Sequence, residues 1–410
     1  MTSLIDRAKA VIDECRLLAT MTEEPGRTTR RFLTPPMAQV HAHLRARMEA
    51  LGMPATIDAA GNLWGVLQGA GPHPRRIVLG SHIDTVPNAG AFDGVLGVVL
   101  ALELVREARD ISLPCAIEVI AFSEEEGVRF GVPYLGSLAV AGRFDPALLK
   151  LTDSEGVTLE SAICAYGLNP NEICNAQIAN DAICFLELHI EQGPVLEAED
   201  LQVAAVTAIV GQTRCEVRFL GQANHAGTNP MGLRRDALVA AAEWITAVEA
   251  AGRKIDTLVA TVGKVVVEPN AVNVIPGQVR VSLDLRHALD SVRNKAAAEL
   301  LALARAIAAR RGLRCEVYRL MEQVAVPMND PLTGLLAESI EAAGFPPRRM
   351  SSGAGHDAMV IATRLPTAML FLRSPSGLSH HPDEAVRAEE VAAAIQVGAI
   401  FLERLSARAV

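Results

Sequence analysis

At 410 residues the chain exceeds what a single hydrophobic core usually holds, so two domains are expected. Half of it is apolar, 21% is charged and 4% is aromatic, an ordinary soluble globular composition. A net charge of −9 argues against a nucleic-acid or anionic-membrane partner, and no run of about 18 uncharged apolar residues predicts a membrane span.

The first 19 residues carry charges every few positions and lack a signal-peptide core, which points to a cytoplasmic protein. They read as an amphipathic helix with Leu4, Ala8, Val11, Ile12, Cys15 and Leu18 on one face. The seven cysteines are odd in number and widely spread, as expected of reduced thiols. Residues 36–51 read as a second helix closed by Gly52. Two apolar runs follow at 62–68 and 76–83, then a helix from about Gly94 to Ala108, then a buried strand at 115–123. Near-continuous apolar strands alternating with helices predict an α/β fold with a mainly parallel sheet.

From about 209 to 322 the pattern changes. Strand-like stretches at 213–221, 257–267, 278–286 and 314–320 alternate with helical ones at 235–251 and 291–311. The order βαββαβ is a ferredoxin-like α+β unit. Residues 368–374 then return to a buried strand. The expectation is a catalytic domain of residues 1–208 and 323–410 with an inserted domain of residues 209–322.

Chemistry-bearing residues gather at the predicted strand ends. The strand 76–83 reaches His82, and Asp84 two residues on shares its face, so Asp84 can accept the ring proton of a metal-bound His82. Asp93 stands at the start of the next helix, where an aspartate is most often only an N-cap. The strand 115–123 runs into Glu124, Glu125 and Glu126; one glutamate can bind a cation while its neighbour takes a proton from water, and either adjacent pairing is open. His189 ends another apolar run, and His380 and His381 stand in a glycine- and serine-rich loop. Strand carboxyl ends converge in open α/β sheets, and three histidines with carboxylates are ligand types for zinc, manganese or cobalt. With Asp93 bridging, the donors divide between two ions.

The motifs GSHIDTVPNAGAFDG, SEEEGVRF, LELHIEQGPVLE, NHAGTNPM, NAVNVIPGQV, SGAGHDAM and GLSHHPDE fall in order from 80 to 384. Together they resemble the di-metal amidohydrolases of N-carbamoyl compounds: N-carbamoyl-L-amino acid hydrolase, β-ureidopropionase and allantoate amidohydrolase. The resemblance implies two divalent ions, zinc or manganese with cobalt also suitable, one held by His82, Asp93 and His189 and the other by Asp93, Glu126 and His380. It selects Glu125 as the general base and His380 over His381. It also implies that His225 supports the oxyanion, that Gln212, Asn273 and Arg286 hold the substrate with Arg286 gripping a carboxylate, and that Gly353 and Gly355 bring main-chain amides near the ligand. The substrate implied is a small ureido carboxylate, allantoate ahead of an N-carbamoyl-L-amino acid, with an aminoacylase or dipeptidase as the other reading. A homodimer formed through the inserted domain is the expected assembly; the apolar stretch 257–267 would need covering as an exposed edge.

Overall fold

Four long apolar runs govern how the chain folds, because a strand without polar alternation must be covered on both faces. The computed structural model describes residues 3–70, 75–111 and 113–408. The chain divides into two compact units, residues 1–207 with 328–410 and residues 208–327. In chain order the strands are β1 (Ala55–Ile57), β2 (Leu63–Leu67), β3 (Arg76–His82), β4 (Ala116–Phe122), β5 (Ala182–Ile190) and β6 (Val203–Ile209). Next come β7 (Gly211–Leu220), β8 (Asn224–His225), β9 (Val259–Thr261), β10 (Val265–Glu268), β11 (Val274–Ile275), β12 (Gln278–His287), β13 (Arg314–Gln323) and β14 (Val326–Pro327). The chain closes with β15 (Arg349–Ser352) and β16 (Thr367–Leu372).

In the first unit the sheet order is β1-β2-β4-β3-β5-β16-β6, with β15 beside β6. β3 is parallel to β4 and β5, and β16 is parallel to β5, whereas β2 and β6 flank this core antiparallel. Every residue of β4 and β16 is buried. Helices Leu4–Ala19, Val95–Ile111, Asp330–Ala342 and Ala388–Arg408 supply much of the apolar cover, and Ala8, Val11, Ile12, Cys15 and Leu18 all point into the core. One consequence matters for function. Because β3, β4, β5 and β16 run the same way, their carboxyl ends at His82, Phe122, Ile190 and Leu372 lie along one edge of the sheet. No helix among the described residues is long and apolar enough to cross a membrane.

The second unit has its own core. Its antiparallel sheet runs β10-β12-β7-β13, with β9 also on β12, and helices Ala237–Lys254 and Asp290–Arg310 cover one face. β12 alternates buried and half-buried positions along its length, the pattern of a sheet covered on one side. Trp244 is fully buried there and its Nε1 donates to the Leu300 carbonyl at 2.8 Å. The stretch 257–267, expected as one strand, is two. Ser282 Oγ accepts the amides of Gly263 at 3.2 Å and Lys264 at 2.9 Å, which interrupts the ladder between β9 and β10. β14 ends the unit by pairing with Ala208 and Ile209.

His41 gives this fold an acid sensitivity of its own. On helix Pro35–Ala50 it is buried, with Nδ1 2.8 Å from the Tyr166 hydroxyl. Burial, reinforced by Arg45, lowers its pKa from 6.5 to about 4. The unfolded chain therefore takes up this proton first. Stability should fall as pH drops from about 6.5 to about 4, by at most about 3 kcal/mol from this group, and be independent of it above that window. The difference in urea-unfolding free energy between wild type and His41→Gln should shrink or reverse between pH 7 and pH 4.5; a constant difference would refute the assignment.

Candidate metal centre

The two buried histidines are oriented by the main chain. His82 Nδ1 donates to the Asp84 carbonyl at 3.1 Å, and His189 Nδ1 donates to the Ile190 carbonyl at 2.9 Å. Each therefore turns Nε2 inward, towards Asp93. His189 Nε2 lies 3.1 Å from Asp93 Oδ1 and His82 Nε2 lies 3.6 Å from the same oxygen. The His356 ring packs edge-on against His189 with centroids 4.5 Å apart, and Ser352 Oγ lies 2.8 Å from His356 Nε2.

Asp93 sits at the centre. It caps no helix: helix Val95–Ile111 begins two residues later, and the carboxylate turns into the cluster. Oδ2 faces His380 Nε2 at 3.2 Å and accepts from Gln192 Nε2 at 3.0 Å and Ser379 Oγ at 3.1 Å. Gly94 follows with φ +67°, and a Cβ there would strike the His82 ring, so glycine lets the loop pass. His380, itself at φ 55°, also brings Nε2 to 3.3 Å from Glu126 Oε1. His381 is exposed, and its Nδ1 accepts the amide of Asp383.

The three adjacent glutamates have different fates. Glu124 has φ 55°, and its Oε1 accepts the amides of Arg129 at 3.0 Å and Phe130 at 3.2 Å, so it ties down the following turn. Glu125 and Glu126 face the histidines. Asp84 departs from its expected place behind His82. Its carboxylate is 3.7 Å from His82 Nδ1 and instead accepts the amides of Glu125 and Glu126, each at 3.1 Å. The strand ends at His82, so the alternation that would stack residues 82 and 84 stops there, and the Asp84 carbonyl takes the ring proton.

The electrostatics follow from burial. Burial opposes charge on His82, but Asp93, Glu125 and Asp84 outweigh it and hold its pKa well above the usual imidazole range. The Asp93 carboxyl, despite burial, is held well below the usual range by His189, His380 and His82. Burial pushes Glu125 well above, with Glu126 and Asp357 adding to it against His82. His380 is raised to about 10 by Asp93 and Glu126.

This donor set fits divalent cations. Donor atoms of His82, Asp93 and His189 lie within 4.8 Å of one another, as do those of Asp93, Glu126 and His380, and of His82, Glu125 and Glu126. Asp93 Oδ1 and His189 Nε2 are buried and have no hydrogen-bond partner among the described residues, although they face each other. A shared cation satisfies both. A cavity of about 140 Å³ opens on the cluster between Glu125, Glu126, Tyr134, Gln192 and Gly355. A Cβ on Gly355 would collide with the Tyr134 hydroxyl, which gives this glycine a packing reason as well.

In the second unit the main chain pairs the expected substrate residues two by two. Gln212 is opposite Arg286 across β7 and β12, and the Asn273 carbonyl accepts the amide of Ala226, next to His225 on β8. His225 and Asn273 are exposed. The Arg286 guanidinium is already engaged: Nε and Nη2 donate to Asp284 Oδ1 at 3.0 Å and Oδ2 at 3.1 Å. Sequence reasoning passed over Gln192, Ser379, His356 and Glu384. All four stand inside motifs quoted for other residues, LELHIEQGPVLE, SGAGHDAM and GLSHHPDE, which was the available signal.

Residues 78–404 match peptidase family M20/M25/M40. The chain is 37% identical to an N-carbamoyl-L-amino acid amidohydrolase of Geobacillus stearothermophilus over 91% of its length and 92% of that protein. It is 38% identical to an allantoate amidohydrolase of Escherichia coli K12 over 93% of each. Among solved structures, a hydantoinase/carbamoylase-family amidase from Burkholderia multivorans superposes with a TM-score of 0.91 at 32% identity, covering 97% of both chains.

Glu126→Gln should lower the content of bound divalent ion. Glu124→Gln should leave it unchanged, because its amide oxygen can still accept from Arg129 and Phe130. Elemental analysis of the two purified variants checks this, and the reverse ranking would move the ligand to Glu124.

Proposed function

The chain belongs to peptidase family M20/M25/M40, and from that premise we propose that it hydrolyses the carbamoyl amide of a small ureido carboxylate at a two-ion centre. One observation carries the reaction type: the two oxygens of Asp93 face two different ligand sets, His82 with His189 and His380 with Glu126. We assign the first ion to His82, Asp93 and His189 and the second to Asp93, Glu126 and His380, with zinc or manganese as the natural metal and cobalt able to substitute. When bound, such ions polarise a carbonyl and lower the pKa of water towards about 7.

The remaining work falls to the chain's own groups. Glu125 takes the proton of the attacking water and passes it to the leaving nitrogen. Burial and the neighbouring carboxylates raise its pKa, and bound dications, by their charge, would favour the ionised form a base needs. Asp84 holds Glu125 and Glu126 in place through their amides. The C–N bond of the carbamoyl group breaks, and the carbamate released decomposes to ammonia and carbon dioxide. We assign the oxyanion to His225 and the substrate to Gln212, Asn273, Arg286 and Gly355. A homodimer through the second unit agrees with the outer strands β9 and β10, where Val259 and Val265 are exposed.

Allantoate is the favoured substrate, on the run SEEEGVRFGVPYLGS with GQTR and SGAGHDAM. An N-carbamoyl-L-amino acid ranks next, supported by relatives of that kind at 37% and 38% identity.

Metal-loaded protein should hydrolyse allantoate faster than N-carbamoyl-methionine, β-ureidopropionate or an N-acetyl amino acid. A preference for the acetyl compound would make this an aminoacylase. Exhaustive chelation should abolish turnover and manganese, cobalt or zinc should restore it. Glu125→Gln should keep its metal while turnover falls by about two or more orders of magnitude; loss of metal in this variant would make Glu125 a ligand.

A further inference from the structure

The loop that carries His380 and the loop that carries Asp93 are far apart in sequence, yet one side chain joins them. Glu384 is buried, and its Oε1 accepts the amides of Phe92 at 2.9 Å and Asp93 at 3.0 Å. Its own amide donates to the His381 carbonyl at 3.0 Å, which folds the main chain back just after His380. His380 has a left-handed backbone at φ 55°, a conformation that persists only where surrounding contacts determine it. Glu384 supplies such contacts.

A second observation, on the other loop, is independent of these bonds. Gly90 has no positive φ to explain it, but a Cβ built there would come closer than 3.0 Å to Glu384 Cβ, Oε1 and Cδ. Two of those atoms cannot swing away without moving the carboxylate. Gly90 is therefore the space into which Glu384 fits.

We propose that Glu384 is a positioning residue for the metal centre: seated against Gly90, it fixes the Asp93 carboxylate and the His380 loop in one geometry, so that both ion sites depend on it. The proposal rests on the two-ion reading above. Glu384 belongs to none of the donor groups that could hold an ion; it acts through the main chain of Asp93. Such outer partners commonly change metal affinity by about 10–100-fold when removed.

The test is titration of metal-free protein with Mn²⁺, followed calorimetrically, with the melting temperature of each metal-free variant as the control for folding. Glu384→Ala should weaken Mn²⁺ binding about tenfold or more. Glu384→Gln keeps an acceptor oxygen for both amides and should stay within about threefold of wild type. Gly90→Ala should reproduce the loss with Glu384 intact, because its methyl meets Glu384 Cβ as well as the carboxylate and forces the two loops apart. Wild-type affinity in a folded Glu384→Ala protein overturns the proposal, as does wild-type affinity in a folded Gly90→Ala protein. Should Glu384→Ala fail to fold, Gly90→Ala and Glu384→Gln carry the same decision. A wild-type protein that binds neither Mn²⁺ nor Zn²⁺ overturns the two-ion reading itself, which separates the two failures.

Discussion

The rest of this site follows from one electrostatic problem, an excess of buried negative charge at the end of a parallel sheet. Asp84, Asp93, Glu124, Glu125, Glu187, Asp357 and Glu384 are all buried, and among the described residues no lysine or arginine forms an ion pair with any of them. Main-chain amides relieve part of the cost: Asp84, Glu124 and Glu384 each accept two. The carboxylates of Asp93, Glu125 and Glu126 are left facing histidines. Uncompensated charge in such surroundings is expensive enough that groups neutralise or acquire a counter-ion. The rises in Glu124 to about 8 and in Glu384 to about 7 express the first outcome. The histidine nitrogens turned towards Asp93 provide for the second.

This view sorts the acidic residues by what their oxygens meet. A carboxylate whose oxygens are taken by amides organises the main chain; one whose oxygens meet histidine nitrogens belongs to a donor set that could hold a cation. Glu124 and Glu126, two positions apart, fall on opposite sides of that division. The left-handed backbone at Glu124 is what turns its side chain away from the cluster. Asp84 and Glu384 perform parallel tasks, the first for the Glu125–Glu126 turn and the second for the Asp93 loop. The centre is thus a layer of donors resting on a layer of amide-bound carboxylates.

Much of this was legible from sequence because it depends on local pattern. Uninterrupted apolar runs such as 116–122 and 367–372 announce buried parallel strands, and parallel strands bring their ends together. What was not legible depends on side chain to main chain bonds between distant segments. Nothing in the sequence joins Glu384 to Phe92, 292 positions away. Nor could residue types alone say which glutamate of the triplet turns away, since that is a backbone angle. The stretch 257–267 misled for a similar reason: its composition is that of one strand, and the Ser282 hydroxyl divides it.

The centre accounts for the bond that is cut better than for the molecule that carries it. Relatives named for N-carbamoyl amino acids and for allantoate stand at nearly the same identity, 37% and 38%, so likeness to either does not separate the two substrates. Arg286 is the informative one. Its guanidinium makes a two-point contact with Asp284, which lies on the same side of β12. On the proposed assignment, a carboxylate arriving at Arg286 would meet a guanidinium already paired with Asp284, which Arg214 also holds at 2.8 Å, and would have to share it or replace Asp284. Simple attraction for any anion is weak under those conditions. On that assignment selectivity would come from geometry, favouring a ligand whose carboxylate matches the placement of Arg286 and Gln212, opposite each other on β12 and β7.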